Sequence, residues 1–384
     1  MCEGWRLIVN KLRWMATAAF GLEGIVAREL RSLGIEARAE NGGALFEGTL
    51  EEAFRANLHL RCSDRVLLLM AEFEARSFAE LFDQVRFLSW ETFLSAHSAF
   101  PVTGNCVRSQ LMSISDCQKI IKKAVVERLK ERYHLTWLPE DRENVAIRFH
   151  IHQNRVRIFL DSSGTSLNRR GYRTLNAEAP IRETLAAALI LLSPWHPGMP
   201  FVDPFCGSGT LPIEAAMIQS RRAPGLTRSF AMENWPNVDT VSQRQIREEA
   251  RSAFEPERVR EIYGSDIDPE AVSLSRFHLK QAGLDGRVCF SVSDMAQQVF
   301  PAPSGMVLCN PPYGERLMDR RSCEQLYARL GQHMRTAPGW NAGIITSHPA
   351  FERFYGSRAT RKRRFYNGRL ECEFMLFPAR KPKN

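Results

Sequence analysis

A chain of 384 residues, 44% hydrophobic and 25% charged, is long enough for two or three globular domains. Its net charge of +9 favours a polyanionic partner, most simply nucleic acid, although charge alone supports this only weakly. No apolar run approaches the roughly 18 residues that a membrane-spanning helix needs, so a membrane protein is not expected. Nine cysteines without C-x-x-C spacing or a histidine cluster predict reduced thiols in a cytosolic protein and no metal site.

The start of the chain lacks the apolar core and cleavage site of a secretory signal. Regular periodicity begins only at Met15, so residues 1–14 are predicted to be a disordered extension and Met15 is a candidate translation start. Residues 15–70 then show the pattern of strand, helix, strand, helix, strand, which predicts a small α+β unit. Its first helix is predicted over 21–33, and Gly34 follows where a helix commonly stops.

A second unit is predicted over 71–165. Ser115 and Asp116 are placed to cap a helix that runs to Tyr133, with basic residues opposite its apolar face. Two alternating segments on either side of positions 153–154 predict a hairpin with one buried face.

A basic linker is predicted over 166–178, followed by a third region over 179–384. In this region apolar runs alternate with helical stretches, which is typical of a parallel α/β sheet. The predicted strands include Phe201-Val202-Asp203, Ile262-Tyr263-Gly264, Val288-Cys289-Phe290, Met306-Val307-Leu308, the run 342–346 and the run 373–376.

Acidic or amide side chains follow four successive strands of this region. Asp203, Asp266 and Asp294 lie at or just after the first three, Asp268 lies near the second, and Asn310 follows the fourth. Because the carboxyl ends of parallel strands line one crevice, these side chains are expected to lie together. A single aspartate could equally be a solvated turn residue. The set of four strand ends indicates a ligand site, with carboxylates suited to ribose hydroxyls and an adenine amine.

A glycine-rich turn over 203–210, DPFCGSGT, joins the first of these strands to a helix. Gly207 and Gly209 allow close approach of a ligand to the backbone, and the helix N-terminus favours a carboxylate or phosphate. The turn lacks the third glycine of a dinucleotide fingerprint, and its next acidic candidates lie more than fifty residues on. A nicotinamide cofactor is therefore disfavoured, unless the insertion over 220–258 simply lengthens the crossover.

The tetrapeptide Asn310-Pro311-Pro312-Tyr313 follows the apolar run 305–309. Its two prolines fix φ and remove two backbone donors, so the sheet cannot continue. The Asn310 side chain can accept a hydrogen bond from an amino group, a neighbouring main-chain carbonyl can accept another, and Tyr313 can stack on a planar base. This predicts a grip for an exocyclic amine; a proline-rich turn is the alternative that these four residues alone leave open.

In order, DPFCGSGT, YGSDID, SVSDM and NPPYGERL resemble the motifs of class I S-adenosylmethionine-dependent methyltransferases that act on amino groups. The segments APIRETL at 179–185 and FYNG at 365–368 extend the resemblance, as do residues 16–34 and 118–124. Over about 15–380 the chain is similar to bacterial 23S rRNA guanine-N2-methyltransferases, which have often been labelled N6-adenine DNA methylases.

This resemblance implies an α/β fold class. A Rossmann-like methyltransferase domain over 179–384 would be preceded by a ferredoxin-like unit over 15–70 and a THUMP RNA-binding domain over 71–165. The implied cofactor is S-adenosylmethionine, held by Asp203, Phe205, Gly207, Gly209, Thr210, Asp266, Asp268, Asp294 and Asn310. The implied catalytic residues are Asn310, Pro311, Pro312 and Tyr313.

RNA affinity would come from phosphate contacts, with the shape of the RNA selecting the site. For each basic residue alone a solvated surface position is the simpler interpretation, but at least one cluster is expected to contact RNA. The candidates are Lys119, Lys122, Lys123, Arg169, Arg170, Arg173, Arg358, Arg361, Lys362, Arg363 and Arg364.

The leading functional hypothesis is methyl transfer to the exocyclic N2 of a guanine in 23S rRNA. The expected partner is 23S rRNA or a large-subunit precursor in the cytoplasm, without a membrane or an obligate protein partner. The alternatives are a tRNA guanine N2, an adenine N6 in nucleic acid, or a catalytically silent RNA-binding assembly factor. Within RNA, only the family resemblance favours ribosomal over transfer RNA.

Overall fold

The structure is a computed structural model that describes residues 11–175, 181–313, 319–368 and 370–380. The strands in these residues are β1 (Leu12–Thr17), β2 (Ala37–Glu40), β3 (Gly43–Gly48), β4 (Arg65–Glu74), β5 (Val102–Val107), β6 (Ile147–His152), β7 (Arg155–Asp161), β8 (Phe201–Asp203), β9 (Ile262–Asp266), β10 (Cys289–Val292), β11 (Gly305–Cys309), β12 (Trp340–Thr346), β13 (Arg361–Asn367) and β14 (Leu370–Phe377). The α-helices are α1 (Glu23–Ser32), α2 (Leu50–His59), α3 (Phe78–Arg86), α4 (Ile114–Tyr133), α5 (Glu183–Leu192), α6 (Thr210–Gln219), α7 (Thr240–Ser252), α8 (Pro269–Gln281), α9 (Arg320–Arg335) and α10 (Phe351–Tyr355).

The described residues form two compact units. The first contains those within 1–18, 26–167 and 228–248, and the second contains those within 19–25, 168–227 and 249–384. In the described ranges, each unit is built on one seven-stranded sheet. None of the helices in this part of the chain is long and apolar enough to cross a bilayer.

The sheet of the first unit has the strand order β2-β3-β1-β4-β7-β6-β5. β4 pairs with β1 on one side and with β7 on the other, both antiparallel. The boundary predicted between residues 70 and 71 therefore falls inside a strand that the ferredoxin-like and THUMP portions share. The predicted hairpin around 153–154 is confirmed: β6 and β7 pair antiparallel, and both turn residues have positive φ.

The disordered extension predicted over 1–14 is wrong for its last residues. Leu12, Arg13 and Trp14 pair with β3 in the sheet. The Trp14 ring is fully buried, and its Nε1 donates a hydrogen bond to the carbonyl oxygen of Gly48 at 2.9 Å. The strand therefore begins before Met15, because tertiary partners bury a tryptophan that has no regular pattern in front of it. Residues 1–10 lie outside the described residues.

The helix predicted to begin with a Ser115 or Asp116 cap starts earlier, with a cap two residues before Ser115. α4 is capped by Ser113, whose hydroxyl oxygen accepts from the backbone N–H of Asp116 at 3.3 Å. The Ser113 hydroxyl also donates to the Asp116 carboxylate at 2.6 Å, so Asp116 supports the cap from inside the first turn. The predicted end of the helix at Tyr133 is confirmed.

Residues 228–248 belong to the first unit although they lie within the predicted methyltransferase domain. Trp235 stacks on Trp14 with ring centroids 6.3 Å apart, and Phe230 meets Phe54 edge-on at 5.5 Å. Such aromatic contacts add to the burial of large apolar surfaces. Part of the insertion predicted over 220–258 therefore completes the core of the first unit.

The sheet of the second unit has the order β10-β9-β8-β11-β12-β14-β13. The first five strands in this order run parallel, β14 is antiparallel to β12, and β13 is antiparallel to β14. β13 thus runs in the same direction as the parallel strands. The side of the sheet where these strands end is called the carboxyl edge below. The parallel sheet and its reversed strand confirm the predicted Rossmann-like fold.

The linker predicted over 166–178 is not an exposed basic segment where it is described. Arg170 and Tyr172 are buried, and both contact the carboxylate of Glu214, at 3.4 and 3.2 Å respectively. Burial and the carboxylates of Glu214 and Glu183 raise the pKa of Tyr172 well above its usual value. Arg170 is needed as a counter-charge in the protein interior, which composition alone does not reveal.

Candidate active site

The polar residues predicted at four strand ends lie at the carboxyl edge of one sheet. Asp203 ends β8, which has β9 on one side and β11 on the other. Asp266 ends β9, and Asn310 directly follows β11. The register aligns Val202 with Val307, so the chain leaves β8 and β11 at nearly the same level. The glycine-rich turn and the Asn310 tetrapeptide therefore start from neighbouring strands.

The glycine-rich turn requires its two glycines. Gly207 has φ +50° and Gly209 has φ +82°, a region that other residues seldom adopt. A Cβ atom on Gly209 would lie 3.0 Å from the Cβ of Ser275, whereas one on Gly207 would meet nothing within 4 Å. Gly209 thus permits close packing of the turn against α8, and Gly207 leaves open space beside it.

Two side chains of α8 hold the turn from behind. The Ser275 hydroxyl donates to the carbonyl oxygen of Gly207 at 2.7 Å, and His278 Nδ1 lies 3.1 Å from the carbonyl oxygen of Ser208. These two residues are three positions apart and share one face of the helix. His278 is fully buried, which lowers its pKa, so its ring is neutral with the proton on Nδ1 facing the carbonyl.

Sequence reasoning missed Ser275 and His278. The available signal was the presence of two polar residues, three apart, within the buried positions of an amphipathic helix that follows the second acidic strand end.

Asp203 is almost completely buried and holds the start of the turn. Its Oδ1 accepts from the backbone N–H of Phe205 at 3.1 Å. Burial raises the pKa of Asp203 well above its usual value, and the nearby Asp266 carboxylate raises it further, against the lowering by the Phe205 N–H. The next predicted cofactor residues differ in exposure: Phe205 is half-buried, and Thr210 is buried as the first residue of α6.

The Asp266 carboxylate links the turn to the second strand end. Its Oδ2 accepts from the N–H of Gly207 at 2.9 Å, and its Oδ1 accepts from the N–H of Asp268 at 3.1 Å. Asp268 is exposed and caps α8 by accepting from the N–H of Glu270 at 2.9 Å. Asp266 therefore lies beside the space that Gly207 leaves open, with Asp268 toward solvent.

Asp294 follows β10 and has two partners. Its Oδ1 accepts from the N–H of Ala296 at 2.8 Å, and its Oδ2 lies 3.0 Å from an Arg329 guanidinium nitrogen. Both contacts lower the pKa of Asp294, so the carboxylate is ionised at neutral pH. Arg329, on α9, was not predicted, because its position in an exposed helical stretch gives no signal in the sequence.

The Asn310 tetrapeptide, called the tip below, is half-buried at Asn310 and Tyr313. The Tyr313 hydroxyl donates a hydrogen bond to Oδ1 of Asn310. Burial raises the pKa of Tyr313 well above its usual value, so this hydroxyl keeps its proton. The amide oxygen predicted to receive an amine thus already has a donor. Residues 314–317 of the NPPYGERL motif lie outside the described residues.

A tyrosine of α9 supports the tip. The fully buried Tyr327 donates its hydroxyl to the carbonyl oxygen of Pro312 at 2.5 Å. Its ring packs against His348 and Phe351, with centroids 5.5 and 4.8 Å away. Two successive prolines offer no N–H to a neighbouring strand, so this carbonyl contact is one of the ways in which the turn is held. Sequence reasoning also missed Tyr327.

The arrangement fits an adenosine-containing cofactor. Open space beside Gly207, next to the half-buried carboxylate of Asp266, suits a polyhydroxylated ring. The ionised Asp294 offers a second acceptor at the neighbouring strand end. Across the described residues, no group of three or more His, Cys, Asp or Glu side chains is arranged to hold a metal ion.

The candidate RNA-contacting lysines lie on α4. Lys119 is exposed and lies 3.4 Å from Asp116. Lys122 is half-buried over the ring of Phe100, 4.4 Å from its centroid, and pairs with Glu140. The exposed Lys123 lies 5.7 Å from the centroid of the Phe82 ring. Two of the three therefore already have carboxylate partners.

The arginine candidates separate into buried and exposed residues. Arg170 is buried against Glu214, so the prediction that it contacts RNA at the surface is wrong. Arg173 is mostly buried, 3.6 Å from Glu183, which also makes it a poor phosphate ligand. The remaining basic candidates are exposed: Arg169, Arg358, Arg361, Lys362, Arg363 and Arg364.

The reversed parallel sheet, the glycine-rich turn and the acidic strand ends together define a class I S-adenosylmethionine-dependent methyltransferase. The chain belongs to the RMKL-like methyltransferase family, whose methyltransferase domain matches residues 170–375. An RlmL ferredoxin-like domain matches 13–67, and a THUMP domain matches 75–161.

Similar proteins span most of the chain. "Putative RNA methyltransferase YpsC" of Bacillus subtilis (strain 168) is 39% identical over 96% of both chains. "Ribosomal RNA large subunit methyltransferase K/L" of Syntrophotalea carbinolica is 36% identical over 95% of this chain but only 53% of its own length. The crystal structure of SMU.472 complexed with SAH has a TM-score of 0.92 at 39% identity, covering 97% of this chain and all of that one.

Proposed function

We propose that the protein transfers a methyl group from S-adenosylmethionine to the exocyclic N2 of a guanine in 23S rRNA. The THUMP domain and the relatives named as RNA methyltransferases support an RNA substrate. The relatives named as large-subunit rRNA methyltransferases support the ribosomal target, although the chain spans only about half of their length. Methylation of bacterial rRNA would take place in the cytoplasm.

The observation that carries the proposal is that β8 and β11 are adjacent strands of the sheet. The glycine-rich turn follows β8, and the tip follows β11, and these two strands are paired in parallel. Adjacent strands lie about 4.8 Å apart, so a cofactor held at the turn and a base held at the tip would meet. Holding two reactants in this way can lower a barrier by up to about 7–11 kcal/mol.

The tip supplies the chemistry for an amine. An exocyclic NH2 can donate one hydrogen to Oδ1 of Asn310 and the other to the Pro311 carbonyl, which makes its nitrogen more tetrahedral and directs its lone pair. The Tyr313 hydroxyl now occupies Oδ1 of Asn310. Base binding would therefore exchange this contact for the amine, and free the Tyr313 side chain to stack on the base.

No strong general base is required by this scheme. When bound, S-adenosylmethionine supplies a methyl group on a positively charged sulfur, so the attacking amine need not be deprotonated first. The proton can leave after transfer. The residues at the carboxyl edge then act mainly by positioning, because Asp203 and Asp266 serve the turn and Asp294 pairs with Arg329.

The target base must leave its stack to reach the tip. This costs a few kcal/mol and costs least in looped or single-stranded RNA. The THUMP domain would bind the surrounding RNA by phosphate contacts that include exposed residues of α4, such as Lys119 and Lys123. Removing their charges should weaken binding and flatten its salt dependence; an unchanged salt slope would exclude this cluster.

The test is to map methylated nucleosides in RNA from cells that lack the protein and from cells complemented with wild type or Asn310→Ala. Loss of N2-methylguanosine at one 23S rRNA position, restored only by wild type, is the expected result. Loss of the same nucleoside from tRNA, or of N6-methyladenine from nucleic acid, would replace the proposed substrate, because the tip suits any exocyclic amine. No S-adenosylmethionine binding by titration calorimetry would favour a non-catalytic role.

A further inference from the structure

Two exposed aromatic rings lie together at the carboxyl edge of the second unit. Phe20 is 60% exposed and Tyr366, at the end of β13, is 40% exposed. Their ring centroids are 6.3 Å apart at an interplanar angle of 72°. Neither residue belongs to the turn or to the tip, and they are more than three hundred residues apart in the chain.

The segment that carries Phe20 is fixed against β13. Gly21 follows it with φ +86°, and a Cβ on Gly21 would lie 3.1 Å from the carbonyl oxygen of Arg364 and 3.2 Å from the Phe365 ring. A glycine is required there for the backbone to approach this closely. The close packing of Gly21 against β13 therefore fixes the backbone that carries the Phe20 side chain.

Tyr366 is fixed by a carboxylate. Its hydroxyl donates to Glu371 at 3.1 Å, and the same carboxylate pairs with the Arg364 guanidinium at 3.1 Å. A single acidic residue thus orders an aromatic ring and a cation side by side. An exposed tyrosine on an edge strand does not need such a contact for folding alone.

The surroundings of the aromatic pair are strongly basic. β13 is the edge strand of the sheet, and its sequence begins Arg361-Lys362-Arg363-Arg364, all four exposed. Lys362 pairs with Glu352 and Arg364 with Glu371, whereas Arg361 and Arg363 have no ion pair among the described residues. Positive charge on an edge strand also prevents edge-to-edge aggregation. That role does not account for two solvent-facing rings at the end of the strand.

The distance to the tip suits a continuous RNA strand. β13 is separated from β11 by β12 and β14, so three strand spacings of ~4.8 Å place it about 14–15 Å away. In the strand register, Arg364 of β13 lies opposite Glu373 of β14, and Glu373 lies opposite Thr346 at the end of β12. Tyr366 lies two residues further toward the carboxyl edge. A few nucleotides of unpaired RNA can bridge this interval.

We propose that Phe20 and Tyr366, with Arg364 on the same face of β13 as Tyr366, form a stacking platform for an unpaired base that flanks the methylated nucleotide. Aromatic faces bind bases of any sequence, and adjacent arginines neutralise the phosphates. The occupant is single-stranded RNA. The proposal rests on the RNA substrate proposed above and extends the bound segment beyond the target base.

The experiment measures binding of a single-stranded oligoribonucleotide that contains 5-iodouridine, by fluorescence anisotropy, to the full chain and to Phe20→Ala and Tyr366→Ala. The control is Phe277→Ala, whose ring is 38% exposed on α8 of the same unit. Each platform variant is expected to weaken binding at least about fivefold, Tyr366→Phe is expected to retain it, and Phe277→Ala is expected to leave it unchanged.

Photo-crosslinking with the same oligonucleotide is expected to label Phe20 or Tyr366. Crosslinks only elsewhere, or a change below about twofold in the double alanine variant, would overturn the platform. On an rRNA substrate, the double variant should raise KM for RNA and leave kcat and S-adenosylmethionine binding unchanged. If wild type binds the oligonucleotide through the platform but methylates no RNA, the proposed function fails and the platform stands. If wild type methylates RNA and the double variant has the same KM, only the platform fails.

Discussion

The glycine-rich turn and the tip lie on neighbouring strands but are held in different ways. The turn is fixed through its own backbone, with carbonyls bonded to Ser275 and His278 and an N–H bonded to Asp266. The tip depends on hydroxyls: Tyr327 holds a proline carbonyl, and Tyr313 holds the amide of Asn310. The turn is thus held in place without a ligand, whereas the proposed base-binding role of the tip requires that Asn310 give up its hydrogen bond from Tyr313. Cofactor binding and turnover should therefore be separable by mutation.

The largest separation is expected from Asn310→Ala. In the proposed mechanism the amide oxygen accepts a hydrogen bond from the reacting amine, and removing one preorganised hydrogen-bonding group from an active site, such as an oxyanion-hole donor, costs about 10²–10³ in rate. Methyl transfer should fall below about a tenth of wild type, while the Kd for S-adenosylmethionine from calorimetry changes little. Activity above about a tenth would contradict the amine-gripping role. An equal loss of cofactor binding would contradict the separation of the two regions.

The opposite separation is expected from Gly209→Ala. The added Cβ would contact Ser275 in a backbone region that alanine seldom adopts, and such overpacking typically costs about 1–3 kcal/mol. Cofactor affinity should fall about tenfold or more. Gly198→Ala is the matched control, because Gly198 also has a positive φ, of +98°, but a Cβ there meets nothing within 4 Å. Equal losses in both variants would show that backbone strain alone is responsible.

A smaller effect is expected from Tyr327→Phe. The ring contacts remain, and only the hydrogen bond to Pro312 is lost, which corresponds to about 0.5–1.5 kcal/mol. Turnover should fall about two- to tenfold with unchanged cofactor affinity. Tyr355→Phe removes a hydroxyl from the same hydrophobic core and should have little effect. If both variants lose turnover equally, the loss reflects general packing and Tyr327 has no special role at the tip.

The smallest effect concerns the pH dependence of stability. The pKa of Asp203 is raised in the folded protein, so the folded state binds this proton more tightly than the unfolded state does. The corresponding stability is present at low pH and is lost as pH rises through the folded pKa. Asp203→Asn keeps an oxygen acceptor for the Phe205 N–H but cannot ionise, so its stability should not fall as the pH rises. Without cofactor, its melting temperature should exceed that of wild type by more near neutral pH than at about pH 5; the reverse trend would contradict it.

The positions of the strand-end residues were predictable because two short-range patterns determine them. Buried strands give apolar runs, and parallel strands bring their ends to one edge, so Asp203, Asp266 and Asn310 could be placed together from the sequence. Their partners were not predictable. Ser275, His278 and Tyr327 act through tertiary contacts whose identity depends on which helix packs beside which turn.

Burial of charged and aromatic side chains was the main source of wrong predictions. Arg170 is one of several arginines in a basic stretch, and only the fold shows that Glu214 lies opposite it in the interior. Likewise, Trp14 follows a segment without periodicity, and its burial depends on Phe46 and Trp235 from distant parts of the chain. Local pattern gives elements, whereas long-range pairing decides which charged or aromatic residues are enclosed.

The stacking of Trp14 on Trp235 also has a consequence for the order in which the protein forms. More than two hundred residues separate the two rings, and Phe54 likewise depends on Phe230. During synthesis the first sheet can pair its strands as soon as residue 161 has emerged, but one side of its core stays open to water until residues 228–248 follow. This module is therefore completed late, in step with the catalytic portion and not ahead of it.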